Sequence, residues 1–389
     1  MKQRKIIIIG LFKFPHGDAN ANYQQYLSQA LINAGYKVEL LSYINSEYAS
    51  TDFYEYKGIA VKSVVKKSKN KLLTRLYSGK LFPYMVYKLL KKQNLTQNDL
   101  LFIPRGVPAI YNAAVKLRKK IGFRIACCPL EWFGKEEYVS LKEYYKAEKE
   151  FQALKNVDVL FPISYNIANQ FPKNKKLVLP MMTDVSEYSY FEKKYGKYQF
   201  IFPTNGKMKD SIIEMLRGIA LLDEGELSRV TFHFTGIKKE IIDQALNCDE
   251  KETILKSIVL HPWLKYDELV ELFRKMHYLF LARPINQMTL SNFPSKVPEV
   301  MTHGVVPVVT RVGDYTQFYL RDDVDSLIFE GCSSEKCAEV IRRAINIPFD
   351  KYQRMSRNAR KCAEERFDYH NWISQIKSVL EEIKKNKKE

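Results

Sequence analysis

The sequence predicts an α/β protein made of two successive units, each a parallel sheet whose strands alternate with helices. Three observations carry that prediction. At 389 residues the chain is longer than one hydrophobic core usually serves, and its 46% hydrophobic content supplies two. Short, β-branched apolar runs alternate with amphipathic stretches along both halves. Between the halves lies Ser186 to Lys197, a stretch rich in Tyr, Glu and Lys that reads as a hinge.

The first series opens with a buried strand from Lys5 to Gly10, the loop Phe12 to Asp18, and a helix from Asn20 or Ala21 to Ala34 that stops at Gly35. Val38 to Leu41 is the next strand, so the opening is a βαβ unit without a GxGxxG fingerprint. Gly17 has two readings: it lets backbone come close to a ligand, or it is a turn glycine. Ile59 to Val65 alternates as a strand, followed by the lysine run Lys66 to Lys71 and by helices Leu72 to Gly79 and Phe82 to Lys92. Strand, helix and strand then repeat as Leu100 to Pro104, Ala109 to Lys120 and Phe123 to Cys128, leading to Glu131 and Trp132 at a strand end. A charged helix from Lys142 to Lys155, a strand from Val157 to Ile163, a short helix reaching Phe171, and a strand from Lys176 to Leu179 complete the unit.

The second series begins with the strand Gln199 to Phe202, the loop Pro203 to Asp210 and a helix from Ser211 to Leu222. Val230 to Thr235, Ile258 to Leu260 and Tyr278 to Ala282 read as strands, with helices Lys238 to Leu246 and Tyr266 to Met276 between them. Met288 to Val309 narrows function most. It reads as a polar loop with Asn292, Phe293 and Pro294, a short helix from Ser295, a stop at His303 and Gly304, and the strand Val305 to Val309. Ser295 suits an N-cap, and Pro298 is tolerated because the first turn has no intrahelical use for its N–H groups. Such a helix start with Lys296 beside it suits a phosphate, and Glu299 is placed to accept hydrogen bonds from vicinal hydroxyls such as those of a ribose. Leu327 to Phe329, then helices Cys337 to Asn346, Phe349 to Glu365 and Tyr369 to Lys384, close the chain.

Composition narrows the classes. The six cysteines form no CxxC pair and have no histidines at metal spacing, so free thiols in a reducing compartment are expected and structural zinc is not. No stretch reaches the ~18 to 20 apolar residues of a membrane span, and the expected location is the cytoplasm. A net charge of +18 asks for an anionic partner: nucleic acid, acidic lipid or a phosphate-rich substrate. Residues 57–92 hold eleven Lys or Arg and no Asp or Glu. They suit an anionic membrane surface, or else an apolar face packed on the sheet with solvated lysines. Charge without an aromatic-basic recognition motif does not favour nucleic acid as a partner.

The stretch around Glu299 resembles the nucleotide-sugar signature of the family-four retaining glycosyltransferases. Members usually carry two glutamates eight positions apart, Phe-Gly after the first, and Met-Ala-x-Gly-x-Pro-Val after the second. Phe293, Glu299, Met301, Gly304, Pro307 and Val308 fall on those positions, with Ser291 where the first glutamate stands and Pro294 where the glycine often is. Pro294, Lys296 and Glu299 match a Pro-x-Lys-x-x-Glu variant of the family. Phe-Pro-x-Gly-x-Ala near Gly17 and the strand-Ser-helix-strand-Pro-x-x-x-Asp order ending at Asp184 resemble the acceptor-side half.

This resemblance implies a GT-B fold, two Rossmann-like domains facing across a cleft. Residues 1–185 would bind acceptor, 198–365 would bind nucleotide sugar, and 366–389 would cross back onto the first domain. It further implies sugar transfer with retention, from a UDP- or GDP-type donor to a glycan acceptor; the basic charge and residues 57–92 favour a lipid-linked acceptor, as in bacterial surface polysaccharide assembly. No cofactor is expected, nor any metal held by an Asp-x-Asp element. By the same resemblance Lys209 stands where a diphosphate-neutralising lysine lies, with Lys207 in place of the missing arginine. Trp263 and Leu264 border the nucleobase, Ser291, Asn292, Phe293, Ser295, Lys296, Glu299 and Gly17 surround the donor, and Glu131 lies near the reacting centre. For Trp263 a core position, for Glu131 a cap or salt bridge, and for the Lys207 and Lys209 loop a solvated turn, are the competing readings. A non-catalytic partner subunit, with Ser291 replacing the glutamate, is the alternative at the level of the whole chain.

Overall fold

In a computed structural model the described residues are 4–15, 19–43, 53–64, 76, 81–104, 107–203 and 209–385. The chain divides into two compact units, one of residues 1–182 with 369–389 and one of residues 183–368.

The first unit holds a seven-stranded sheet among its described residues. Its strands are β1 (Lys5–Ile9), β2 (Lys37–Ser42), β3 (Tyr54–Tyr56), β4 (Ile59–Ser63), β5 (Leu100–Ile103), β6 (Arg124–Cys127) and β7 (Val159–Leu160). Their order is β3-β4-β2-β1-β5-β6-β7, and every pairing is parallel except β3 with β4. That antiparallel pair is a hairpin whose turn residues Lys57 and Gly58 have φ of 47° and 75°, the positive values a tight two-residue hairpin demands. Ile6 to Ile9 of β1 are fully buried, as expected of a central parallel strand covered on both faces.

Two predicted strands are cut short here. The Leu160, Leu177 and Leu179 amides donate to Lys175, Leu160 and Pro162 carbonyls, so a ladder begins between the two segments. Pro162 has no N–H to continue it, and β7 ends at Leu160. The C-terminal helix Ile373–Lys385 belongs to this unit: Arg4 donates to the Leu380 carbonyl at 3.0 Å, and Tyr369 stacks on Tyr26 at 6.1 Å.

The helix Phe82–Lys92 carries Pro83 in its first turn and buries Phe82, Val86 and Leu90, one stripe at helical spacing. That stripe is core. The helix exposes Pro83, Tyr84, Lys88, Lys91 and Lys92. The predicted helix Leu72 to Gly79 and the lysine run lie outside the described residues, apart from Leu76.

The second unit holds a parallel six-stranded sheet among its described residues, in the order β10-β9-β8-β11-β12-β13. These are β8 (Tyr198–Pro203), β9 (Val230–Thr235), β10 (Ile258–His261), β11 (Tyr278–Leu281), β12 (Val306–Thr310) and β13 (Leu327–Phe329). One face is an aromatic core: Phe200 lies 4.8 Å from Tyr278, Phe202 lies 4.2 Å from Phe234, and Phe202 lies 5.2 Å from Phe280. Each such ring, fully buried, contributes about 1.5–3 kcal/mol.

Two further helices, Glu224–Ser228 and Cys248–Leu255, were not foreseen, although each begins with a capping box, Asp223 with Glu226 and Asn247 with Glu250. Their shortness hid them, because helical periodicity needs more turns than they have.

Three histidines of this unit are held neutral by burial, which pushes His233 and His277 down to about 4 and His303 down to about 3. The unfolded chain takes up these protons below its ordinary histidine value of about 6.5 while the folded unit does not, so stability is fully present above that value and is lost as pH falls. We predict that the thermal midpoint of the second unit drops steadily between about pH 6.5 and 5, before most carboxylates titrate. A flat profile across that window, followed by circular dichroism, would contradict the assignment.

Candidate functional site

The order of the second sheet reverses between β8 and β11, which pair directly. Chain leaving the carboxyl ends of two such strands turns to opposite sides and leaves a crevice, the usual place for a ligand in a doubly wound sheet. The loop after β8 carries Lys209 and Asp210, and the segment after β11 leads through Arg283 to Asn292 and Glu299.

These two segments are joined by hydrogen bonds. Arg283 Nε donates to Asp210 Oδ1 at 2.8 Å, and its Nη1 donates to Asn292 Oδ1 at 3.2 Å. The Arg283 amide donates to Thr310 Oγ1 at 2.9 Å, the Thr310 hydroxyl donates back to the Arg283 carbonyl at 3.1 Å, and the Ser211 amide donates to the Ala282 carbonyl at 2.8 Å. Arg283, Asn292 and Thr310 are all buried. Fully buried Tyr315 lies against the same charges, its phenol pushed up to about 12 by burial although Arg283 opposes the rise.

The expected polar loop before Asn292 is instead a helix, Gln287–Ser291, capped by Asn286, whose side chain accepts from the Thr289 amide at 2.9 Å. Asn-x-x-Thr was the available signal. Phe293 is a wedge, its ring packed against Tyr315, Tyr319 and Phe367, so its side chain anchors the loop. Ser291 is fully buried and its hydroxyl donates to the Met288 carbonyl at 3.2 Å.

The helix Lys296–Met301 has only six residues. Ser295 stands before it in helical conformation, φ −58° and ψ −26°, and its side chain makes no capping hydrogen bond. The expected N-cap is therefore corrected: an N-cap side chain needs extended backbone to reach the second or third amide. Lys296 pairs with the buried carboxylate of Glu299 at 3.2 Å, one turn on. Glu299 also faces Tyr188, whose phenol is pushed up chiefly by burial, with the Glu299 charge adding to it and a hydrogen bond from Tyr266 opposing it.

Residues 191–362 match the family described as Glycosyl transferases group 1. Among solved structures, sucrose-phosphate synthase from Thermosynechococcus elongatus has a TM-score of 0.73 at 12% identity, covering 99% of this chain and 100% of its own. HepE from Anabaena, in complex with UDP and glucose, has a TM-score of 0.70 at 12% identity, with 98% and 100% covered. The α,α-trehalose-phosphate synthase from Burkholderia xenovorans, in complex with glucose-6-phosphate, has a TM-score of 0.68 at 13% identity, with 97% and 100% covered. The chain has the fold of these structures, the GT-B fold, and the stretch 191–362 carries the match to a glycosyltransferase family. No curated protein matches it in sequence.

Trp263 and Leu264 follow β10, the edge strand of the second sheet. Trp263 is 80% exposed, which removes the core reading for it. Lys209 is half-buried beside Asp210. Lys207 and Gly17 lie outside the described residues.

In the first unit, half-buried Glu131 follows β6, and its neighbour Trp132 is pinned by stacking on Phe151 at 5.2 Å and by donating to Glu148 at 3.1 Å. The absence of an Asp-x-Asp element also needs correction, because Asp323-Val324-Asp325 is one. Its carboxylates are held by arginine and lysine: Asp325 by Arg321 at 3.0 Å, Asp323 by Arg343 at 2.7 Å and by Lys351 at 3.3 Å.

Sequence reading missed Arg283, Asp210 and Gly313. An isolated arginine after an apolar strand carries no periodic signal, and its partners are 73 and 9 residues away. Gly313 has φ of +69°, and a Cβ there would lie 2.9 Å from the Thr289 carbonyl oxygen. Gly313→Ala is expected to lower the stability of the second unit by about 1–3 kcal/mol through backbone strain and this close approach. Urea unfolding monitored on the second unit checks it; an unchanged midpoint would show that the segment yields freely.

Proposed function

We infer that this protein is a glycosyltransferase that takes a nucleotide-diphosphate sugar as donor and transfers the sugar, with retained anomeric configuration, to a hydroxyl of a glycan acceptor. One observation carries the reading: the Lys209 segment and the Asn292 to Glu299 segment rise from β8 and β11, the two strands at the reversal of the second sheet. In the transfer the bond from anomeric carbon to diphosphate oxygen breaks, a bond to the acceptor oxygen forms, and the acceptor proton is released. Negative charge grows on the leaving diphosphate. Lys209, Lys296 and the lysine at 207 supply positive charge for it, which a preorganised site turns into transition-state stabilisation. Glu299 accepts from the donor ribose, Asn292 and Ser295 contact the sugar or phosphate, and Trp263 and Leu264 border the base. Glu131 of the first unit orients the acceptor or the transferring sugar.

UDP-glucose is the first donor to try, because the HepE structures contain UDP with glucose and UDP-glucose. UDP-, GDP- and ADP-sugars are then screened by calorimetric binding and by slow donor hydrolysis. Binding to one class is expected, weakened about tenfold or more in Glu299→Ala, on the order of the 1.4 kcal/mol or more of a charge-assisted hydrogen bond. Equal donor binding by wild type and Glu299→Ala would remove Glu299 from the ribose.

The acceptor is lipid-linked in this reading, and the enzyme works on the inner face of a membrane. Among the described residues no helix is long and apolar enough to cross one. Support for surface association comes from residues 57–92: they lack acidic residues, and the helix Phe82–Lys92 exposes Lys88, Lys91, Lys92 and Tyr84, the last at 63%. Each basic group near an anionic surface adds on the order of 1 kcal/mol at low salt. Co-sedimentation with phosphatidylglycerol vesicles should fall when Lys88, Lys91 and Lys92 are replaced together by Gln. Equal pelleting with neutral phosphatidylcholine vesicles would refute an electrostatic origin, and no pelleting at all would move a soluble glycan acceptor ahead.

A further inference from the structure

We propose that Arg283 is a positioning residue that locks the Lys209 segment to the Asn292 segment, so that the cation and the carboxylate of the donor site are held in one frame. The proposal rests on the donor reading above for its consequence, but on geometry alone for the lock itself.

Strands β8 and β11 are neighbours, yet the chain leaving them diverges, and helices Ile212–Ala220 and Gln287–Ser291 lead off separately. Something must tie the two loops if a diphosphate and a ribose are to meet fixed partners. Beside the backbone bond from Ser211 to Ala282, the Arg283 side chain reaches both. Its Nε holds Asp210 at 2.8 Å and its Nη1 holds Asn292 at 3.2 Å, two different edges of one planar guanidinium. Its own backbone is fixed from a third side by the reciprocal bonds with Thr310 on β12, at 2.9 and 3.1 Å. The Arg283 side chain is 8% exposed and that of Asp210 is 12% exposed, so water screens the pair little.

The chemistry of the group explains why arginine stands here. A lysine ammonium is a point charge on a flexible stem; it can keep Asp210 or Asn292, but lacks the rigid fork that addresses both. An uncharged residue would leave Asp210 buried without its counter-charge. Asp210 directly follows Lys209, so a shift of Asp210 moves the ammonium expected to face the diphosphate. Asn292 directly precedes Phe293, whose ring wedges the loop into the core, so the Asn292 side of the lock is anchored by packing, while the Lys209 side is held by the Ser211 amide on the Ala282 carbonyl and by the Arg283 guanidinium on Asp210.

The test is hydrogen exchange on the full chain without any donor, comparing wild type, Arg283→Gln and Arg283→Lys. In Arg283→Gln the peptides that contain Ser211 and Asn292 are expected to exchange together, about tenfold faster than in wild type, the rest of the sheet keeping its protection. In Arg283→Lys, which keeps the charge and serves if the glutamine variant does not fold, one of the two peptides is expected to speed up and the other to stay protected. Unchanged exchange of both peptides in a folded variant, or loosening of the whole unit to the same degree, would overturn the lock.

Steady-state kinetics with the nucleotide sugar found in the screen reads the consequence. Arg283→Lys should raise the donor KM about tenfold while kcat changes less, the mark of lost binding geometry. A fall in kcat at constant KM would overturn the positioning role, because it would mean that Arg283 acts only in the transition state. If wild type binds no nucleotide sugar, the donor reading fails, and the exchange result still decides whether Arg283 joins the loops.

Discussion

The pairing of β8 with β11 is the constraint on which the second unit depends. These strands are far apart in the chain yet adjacent in the sheet, with β9 and β10 laid outward on one side and β12 and β13 on the other. Their aromatic side chains make the core: Phe200 and Phe202 from β8 meet Tyr278 and Phe280 from β11. The same adjacency sets the Lys209 segment beside the segment that starts at Arg283. One set of apolar contacts thus fixes both the stability of the unit and the location of its candidate site.

Around that site polar groups are held in pairs. Arg283 is matched by Asp210 and Asn292, Lys296 by Glu299, and the backbone of Arg283 by Thr310. Unpaired, each charge would carry a desolvation cost that the aromatic core could not offset at the same position. Paired, they contribute little net stability but restrict the loops to few arrangements. Such pairing is suited to a site that must meet a charged ligand with fixed donors and acceptors.

The first unit shows how a backbone detail overrides an apolar pattern. Val157 to Ile163 has the composition of a long strand, yet Pro162 lacks the donor its neighbour needs, and the ladder stops at Leu160. In Phe82–Lys92 the apolar pattern prevails: Phe82, Val86 and Leu90 recur at helical spacing and are buried, with Pro83 in the first turn where it costs no hydrogen bond. Of the two readings of that helix, the packed stripe holds for its apolar residues. Its lysines still form an unbalanced basic face.

Local pattern by itself determined the alternation of strands and helices, because burying a parallel sheet on both faces requires apolar β-branched runs separated by amphipathic helices. It also determined the short proline-bearing helix that sets Lys296 and Glu299 one turn apart, since that is a local arrangement. Tertiary structure alone decided that Phe293 is a wedge, that Ser291 is turned onto a carbonyl, that Ser295 caps nothing, and that Arg283 joins two loops. Those outcomes depend on partners many residues away and on which face of a helix meets the sheet. No local spacing encodes them.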